Sequence, residues 1–190
     1  MKDLQYKIEF TSFWHTGSGL SSGTESDLVV IKDKNGLPYI PGKTLKGLLR
    51  EAAESINGFD KKLVTSKFIN VVFGVKSEEG DNNSQKEAKS FFTDAYLSED
   101  IRLYLTDNHE QKLMLYKNIA STKINDDGQA VDHSLRHLQV TIPLELYAEI
   151  IDFPEEYKVE LENCFAWVKK MGLNRSRGLG RCKLETLNIR

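Results

Sequence analysis

Apolar and polar residues alternate from the start of the chain. Tyr6, Ile8 and Phe10 face one way and Lys7, Glu9 and Thr11 the other, which predicts a strand with one face in the core. A stretch rich in Gly and Ser follows, from His15 to Ser26. Leu28 to Ile31 is a short β-branched run, and Asp33-Lys34-Asn35-Gly36 after it is a turn signal. Pro38 and Pro41 hold the chain extended, and Gly42 precedes a helix. Leu45, Leu48, Leu49, Ala52, Ala53 and Ile56 give that helix a single apolar stripe, and Asn57-Gly58 predicts its left-handed stop.

The middle is less regular. Ser77 to Lys89 is polar and acidic, which predicts a mobile loop, and Ser90 to Leu105 predicts one or two strands. From Thr106 to Leu138 the chain is polar with short apolar pieces around the turn signal Asp126-Asp127-Gly128, as expected of a hairpin-like insertion. Val140, Ile142, Leu144, Leu146, Ala148 and Ile150 predict one long strand, with Pro143 at an edge or bulge. A second helix opens at Pro154 with Glu155 and Glu156 in its first turn. Tyr157, Leu161, Cys164, Phe165 and Val168 form its stripe, Lys169 and Lys170 its last turn, and Gly172 falls just past it. A basic loop and a final strand, Arg181 to Ile189, complete the series. The order strand, helix, strands, helix, strand predicts an α+β fold, a ferredoxin-like βαββαβ unit with long insertions in one domain over residues 1–190.

Composition adds constraints. The chain has 190 residues, 39% hydrophobic and 28% charged, as expected of a globular protein without a metal or disulfide staple. Cys164 and Cys182 both sit in apolar-periodic segments, which predicts buried free thiols in a reducing cytosol. The opening residues have no signal-peptide character and no apolar run approaches a membrane span, so a cytoplasmic location is expected. The net charge of −2 says little about polyanions, because its distribution is uneven. Arg175, Arg177, Arg181, Lys183 and Arg190 cluster near the C-terminus against Glu185 alone, and Lys43 to Arg50 carries cations and no acids.

Lys43, Lys46 and Arg50 are three and four apart, so they share a polar side of the first helix close to its amide-rich start. That arrangement suits phosphate, although any amphipathic helix needs a solvated side. Between the second helix and the final strand, Arg175, Arg177 and Arg181 offer forked donors, and Gly178 and Gly180 let backbone approach a ligand closely; a plain surface turn is the alternative. Gly17-Ser18-Gly19 through Gly23 matches neither a Walker A nor a dinucleotide pattern. His133 and His137 would suit a metal only on a helix with a third ligand nearby, and no Ser-His-Asp or Cys-His arrangement is present. Asp27 sits where the Gly-rich stretch meets the β-branched run, a usual place for a functional carboxylate and equally for a turn residue.

Taken together these pieces resemble the RAMP superfamily of CRISPR-associated proteins, and more narrowly the repeated backbone subunit of type III effector complexes. The resemblance is carried by His15-Thr16-Gly17-Ser18-Gly19, by Asp27 to Asp33, by Gly36 to Arg50 with Pro38-Tyr39-Ile40-Pro41-Gly42-Lys43 at its centre, by Phe73-Gly74, by Phe92-Thr93-Asp94-Ala95, and by Arg175-Ser176-Arg177-Gly178-Leu179-Gly180-Arg181. It implies an RRM-like palm that grips the backbone of a guide RNA (crRNA) at His15, Lys43, Lys46, Arg50, Arg136, Arg175, Arg177, Gly178, Gly180 and Arg181. It also implies a thumb-like hairpin, here Thr106 to Leu138, inserted into the guide–target duplex. The expected partners are guide RNA, target RNA, other effector subunits and further copies of the same chain. In subunits that cut target RNA, the resemblance implies catalysis by an aspartate before the second strand, here Asp27, with Mg²⁺ or a similar divalent cation. Two other outcomes are compatible with the sequence. One is a non-catalytic RNA-binding or capping subunit; the other is a metal-independent guide-processing endoribonuclease using a histidine such as His15.

Overall fold

The computed structural model describes residues 2–17, 28–75, 88–131 and 134–189. The first strand, β1 (Lys2–Phe10), forms where the alternation predicts it: Leu4, Tyr6, Ile8 and Phe10 are buried and the residues between them are not. It lies at the centre of a four-stranded antiparallel sheet, with β5 (Glu145–Phe153) on one side and β6 (Cys182–Ile189) on the other. A two-residue strand, β2 (Phe91–Phe92), pairs with β5 to complete the order β2-β5-β1-β6. With helix α1 (Gly42–Phe59) before β2 and α5 (Lys158–Trp167) before β6, this is the ferredoxin-like βαββαβ arrangement.

Helix α1 buries Leu45, Leu49, Ala52, Ala53 and Ile56 against the sheet, as the stripe predicts, with Leu48 half-buried at its margin. It continues through Asn57-Gly58 to Phe59, so the expected stop falls later. The Asn57 side chain donates to the Val64 carbonyl at 2.7 Å instead of shaping a left-handed turn. The start of α1 is fixed from outside the helix. Asp94 Oδ1 accepts from the Gly42 amide at 2.7 Å, and a side chain at position 42 would place its Cβ 2.1 Å from the Phe92 carbonyl oxygen. Only glycine lets α1 begin this close to β2.

Several elements differ from the sequence pattern. Leu28–Ile31 makes isolated bridges and not a strand, because its residues pair with two different segments, Leu28 with Leu138 and Val30 with Gly17. Ser66–Phe73 forms a helix, α2, capped by Thr65 Oγ1 accepting from the Phe68 amide. Residues expected to be strand or hairpin form helices α3 (Glu99–Asp107) and α4 (His109–Leu113). The hairpin proper is narrower than expected, with arms β3 (Tyr116–Ser121) and β4 (Arg136–Thr141) and the predicted turn at its tip, where the Gly128 amide donates to the Asn125 carbonyl. Pro143 divides the single long strand expected over 140–150 into β4 and β5, which belong to different sheets. Helix α5 stops at Trp167, so Lys169 and Lys170 lie beyond it in extended chain. The expected mobile loop at Ser77 to Lys89 lies, except for its last residues, outside the described residues.

The core is continuous across sheet, α1, α2 and α5, and both cysteines are free and buried in it. Burial pushes each thiol up to about 12. Among the described residues, no helix is long and apolar enough to cross a membrane.

Candidate nucleic-acid interface

The sheet has one face in the core and one turned away from the helices. The outer face carries Glu9, Glu145, Glu149 and Glu185 against Lys7 and Lys183. Its groups are engaged with one another: Lys7 Nζ donates to Glu145 Oε1 at 2.8 Å, Tyr147 Oη to Glu145 Oε2 at 2.7 Å, and Gln5 Nε2 to Glu149 Oε1 at 2.6 Å. The hydrogen bond from Lys7, and then that from Tyr147, holds the Glu145 carboxyl below the usual carboxylate range. The same face also carries Tyr147 and the exposed Phe91, but its acidic balance disfavours phosphate.

The opposite side differs. Beyond β1 the chain runs as an extended segment between two others far away in sequence. On one side the Gly180 amide donates to the Phe13 carbonyl at 2.7 Å and the Leu173 amide to the His15 carbonyl at 3.0 Å. On the other, Trp14 and Thr141 exchange backbone hydrogen bonds of 3.0 and 2.8 Å, and His15 Nδ1 sits 2.7 Å from the Gln139 carbonyl. A carbonyl can only accept, so Nδ1 carries the proton. Burial lowers the His15 pKa below its ordinary value and favours the neutral ring, with Nε2 left as an acceptor. Trp14 stacks on Phe10 with ring centroids 4.4 Å apart and donates from Nε1 to the Ile142 carbonyl.

Above this Phe10–Trp14 stack opens a cavity of about 300 Å³. One rim is the start of α1 (Lys43, Thr44, Gly47, Glu51), and the other is the closing loop (Gly172, Arg175). A second hollow of about 290 Å³ shares Leu48, Glu51 and Arg175 with the first and extends the groove to Trp167, Lys169 and Lys170. The two basic segments at opposite ends of the sequence therefore face each other across one groove, with His15 in its wall.

The expected site residues divide along this geometry. His15, Lys43 and Arg175 line the groove. Lys46 and Arg50 share α1 with Lys43 but do not line it. Arg50 Nε donates to Glu54 at 2.8 Å, and its Nη1 lies 3.5 Å from the Phe73 carbonyl at the end of α2. Lys46 is half-buried, and desolvation followed by repulsion from Arg50 lowers its pKa. The helix start is likewise less open than expected, since Asp94 already occupies the Gly42 amide. Arg177 and Arg181 are exposed on the closing loop, and Arg136 is exposed on the hairpin arm β4. Gly178 is exposed with open space around it. Gly180 is buried, and the backbone it approaches is the chain's own Met171.

Asp27 and His133 lie outside the described residues, and His137 is on strand β4, where no helical pairing exists. Among the described residues, no three His, Cys, Asp or Glu side chains gather to hold a metal ion. Lys169 and Lys170, which the sequence pattern assigned to a helix's last turn, are groove residues, as is Trp167 at the end of α5. Their only sequence signal was an aromatic residue beside paired lysines.

Comparisons with known proteins agree with this architecture. No curated protein matches the chain. Among solved structures, a chain in the cryo-EM structure of type III-B Cmr-beta bound to cognate target RNA is 13% identical with a TM-score of 0.72, covering 97% of this chain and 96% of its own. A chain in the apo-state cryo-EM structure of type III-B Cmr-beta is 12% identical with a TM-score of 0.68, covering 98% of this chain and 97% of its own. At such identities the likeness is one of fold. The RAMP superfamily model matches residues 7–183, nearly the whole palm with its insertions, and the chain belongs to the RAMP superfamily.

Proposed function

We propose that the chain is a guide-RNA-binding backbone subunit of a type III CRISPR interference complex, packed beside other effector subunits and further copies of itself. The observation that carries this reading is the groove itself, where Lys43 of α1 and Arg175 of the closing loop oppose each other and Lys169 and Lys170 continue the positive track. Cations spaced along a groove over an apolar floor suit a single strand, whose phosphates need neutralising and whose bases need cover. The fold shared with chains of type III-B Cmr-beta, one structure of which holds target RNA, supports the same assignment. The hairpin exposes Ile119, Ile124 and Val131, apolar side chains suited to wedging between stacked bases of a guide–target duplex.

Within this reading Asp27 is the residue for target cleavage, with a divalent cation supplied to the assembled particle. The chain's own contribution is to grip and splay the RNA so that a 2′-hydroxyl lines up with its phosphate.

Lys43→Ala with Arg175→Ala tests the groove. Two lost phosphate contacts lower the slope of log affinity against log salt by about 1.4 on single-stranded RNA. An unchanged slope and affinity would sink the RNA assignment. Asp27→Ala in the assembled complex is expected to bind target RNA without cutting it, as EDTA-treated wild type should. Undiminished cleavage removes Asp27 from the chemistry, and a wild-type particle that binds without cutting identifies a non-catalytic subunit.

A further inference from the structure

Gly47 lies in the interior of α1, where a glycine costs helix stability relative to alanine. Nothing in the fold asks for it. A Cβ built there meets no atom within 4 Å, and its φ is not left-handed. Two other glycines near the groove, Gly42 and Gly180, are each explained by backbone within about 2 Å of the missing Cβ. Gly47 is explained by nothing inside the protein, and it sits on the cavity rim between Lys43 and Glu51.

A bare backbone beside an apolar cavity is what a flat ligand lying against the helix requires. The cavity, about 300 Å³, stands at the small end of the range for ligand pockets and has room for one nucleoside, not for a duplex. Its charges are ordered along α1. Lys43 is at the first turn, and Glu51 lies two turns on, roughly 12 Å away at 1.5 Å per residue, with Arg175 across the gap. Glu51 is the only acid among the described lining residues. Its carboxylate can accept N–H groups from a base edge.

We infer that this cavity is a base pocket: one nucleotide of the bound strand turns its base inward over Gly47 toward Glu51 and leaves its phosphate on Lys43. This rests on the RNA-binding reading above and goes beyond a grip on backbone, since it gives one position a contact that depends on the base.

The test uses the full chain with two probes, a short single-stranded oligoribonucleotide and its abasic ribose-phosphate counterpart. Wild type is expected to bind the first about tenfold more tightly, within the range for stacking one base on a protein. Gly47→Leu fills the space over the cavity with a better helix former, so it should unfold no lower than wild type. It should also lose the preference for bases while keeping the salt slope. A Gly47→Leu protein that retains the preference, or a wild type that shows none, overturns the pocket and leaves the RNA-binding groove standing. A wild type that binds neither probe overturns both.

Discussion

Gly178 and Gly180 look alike in the sequence, and the structure predicts different outcomes for the same substitution. Both have left-handed backbones, with φ of +91° and +69°, so alanine at either position costs about 1–2 kcal/mol in strain. For Gly178→Ala that is nearly the whole effect, because its Cβ would stand in open space. In Gly180→Ala the Cβ falls 1.9 Å from the Met171 carbonyl oxygen and 3.0 Å from its carbon. Relieving the overlap requires a shift of roughly 1.5 Å, to reach ordinary contact. That shift pulls on two buried hydrogen bonds, Met171 amide to Gly180 carbonyl at 2.9 Å and Gly180 amide to Phe13 carbonyl at 2.7 Å. Overpacking of this kind costs about 1–3 kcal/mol, and one weakened buried bond about 1 kcal/mol more. Gly180→Ala should therefore lose about 3–6 kcal/mol, a large share of the roughly 5–15 kcal/mol that stabilises a typical domain. At about 2–4 °C per kcal/mol for a chain of this size, Tm falls by roughly 6–24 °C, against about 2–8 °C for Gly178→Ala. Thermal unfolding of the three proteins side by side measures this. Equal shifts, or a Gly180→Ala loss below about 1 kcal/mol, would refute the claim that the closing loop is locked onto Met171 and Phe13.

Three further outcomes follow from the geometry. Asp94→Ala removes the acceptor for the Gly42 amide and for Tyr96 Oη, and should cost about 1 kcal/mol in denaturant unfolding; Asp94→Asn, which keeps an acceptor, should cost less, and equal losses would show that the cap is idle. Because burial lowers the His15 pKa, the unfolded chain binds the extra proton. The stability that His15 contributes is present above its unfolded value, about 6.5, and is lost as pH falls through the depressed folded value. His15→Asn should flatten this acid slope in a pH series of Tm, and an unchanged slope would assign it elsewhere. With both thiols pushed up to about 12, Cys164 and Cys182 should resist a disulfide reagent at mildly alkaline pH in the folded protein and react once it unfolds; labelling of the native chain would contradict their burial.

The sequence by itself determined the parts governed by short-range periodicity. The alternation of β1, the stripes of α1 and α5, and the turns at Asp33–Gly36 and Asp126–Gly128 all depend on residues within a few positions of one another, and all are present. The order of these elements was enough for the ferredoxin-like unit. Short helices such as α2 and α3 were missed because brief apolar runs do not distinguish helix from strand. The division of β4 from β5 at Pro143 depends on which sheet each half joins, and that is not a local property. The binding surface was legible only in pieces. Periodicity placed Lys43, Lys46 and Arg50 on the polar side of one helix, but it could not show that α2 and Glu54 claim Arg50 while Lys43 faces the groove. Nor could it show that Arg175 arrives opposite Lys43. That meeting joins residues 132 positions apart (175 minus 43), and it exists because β6 pairs with β1 and draws the loop before it across the start of α1. A side chain's neighbours along the chain set which way it points; only the pairing of distant strands sets what it points at.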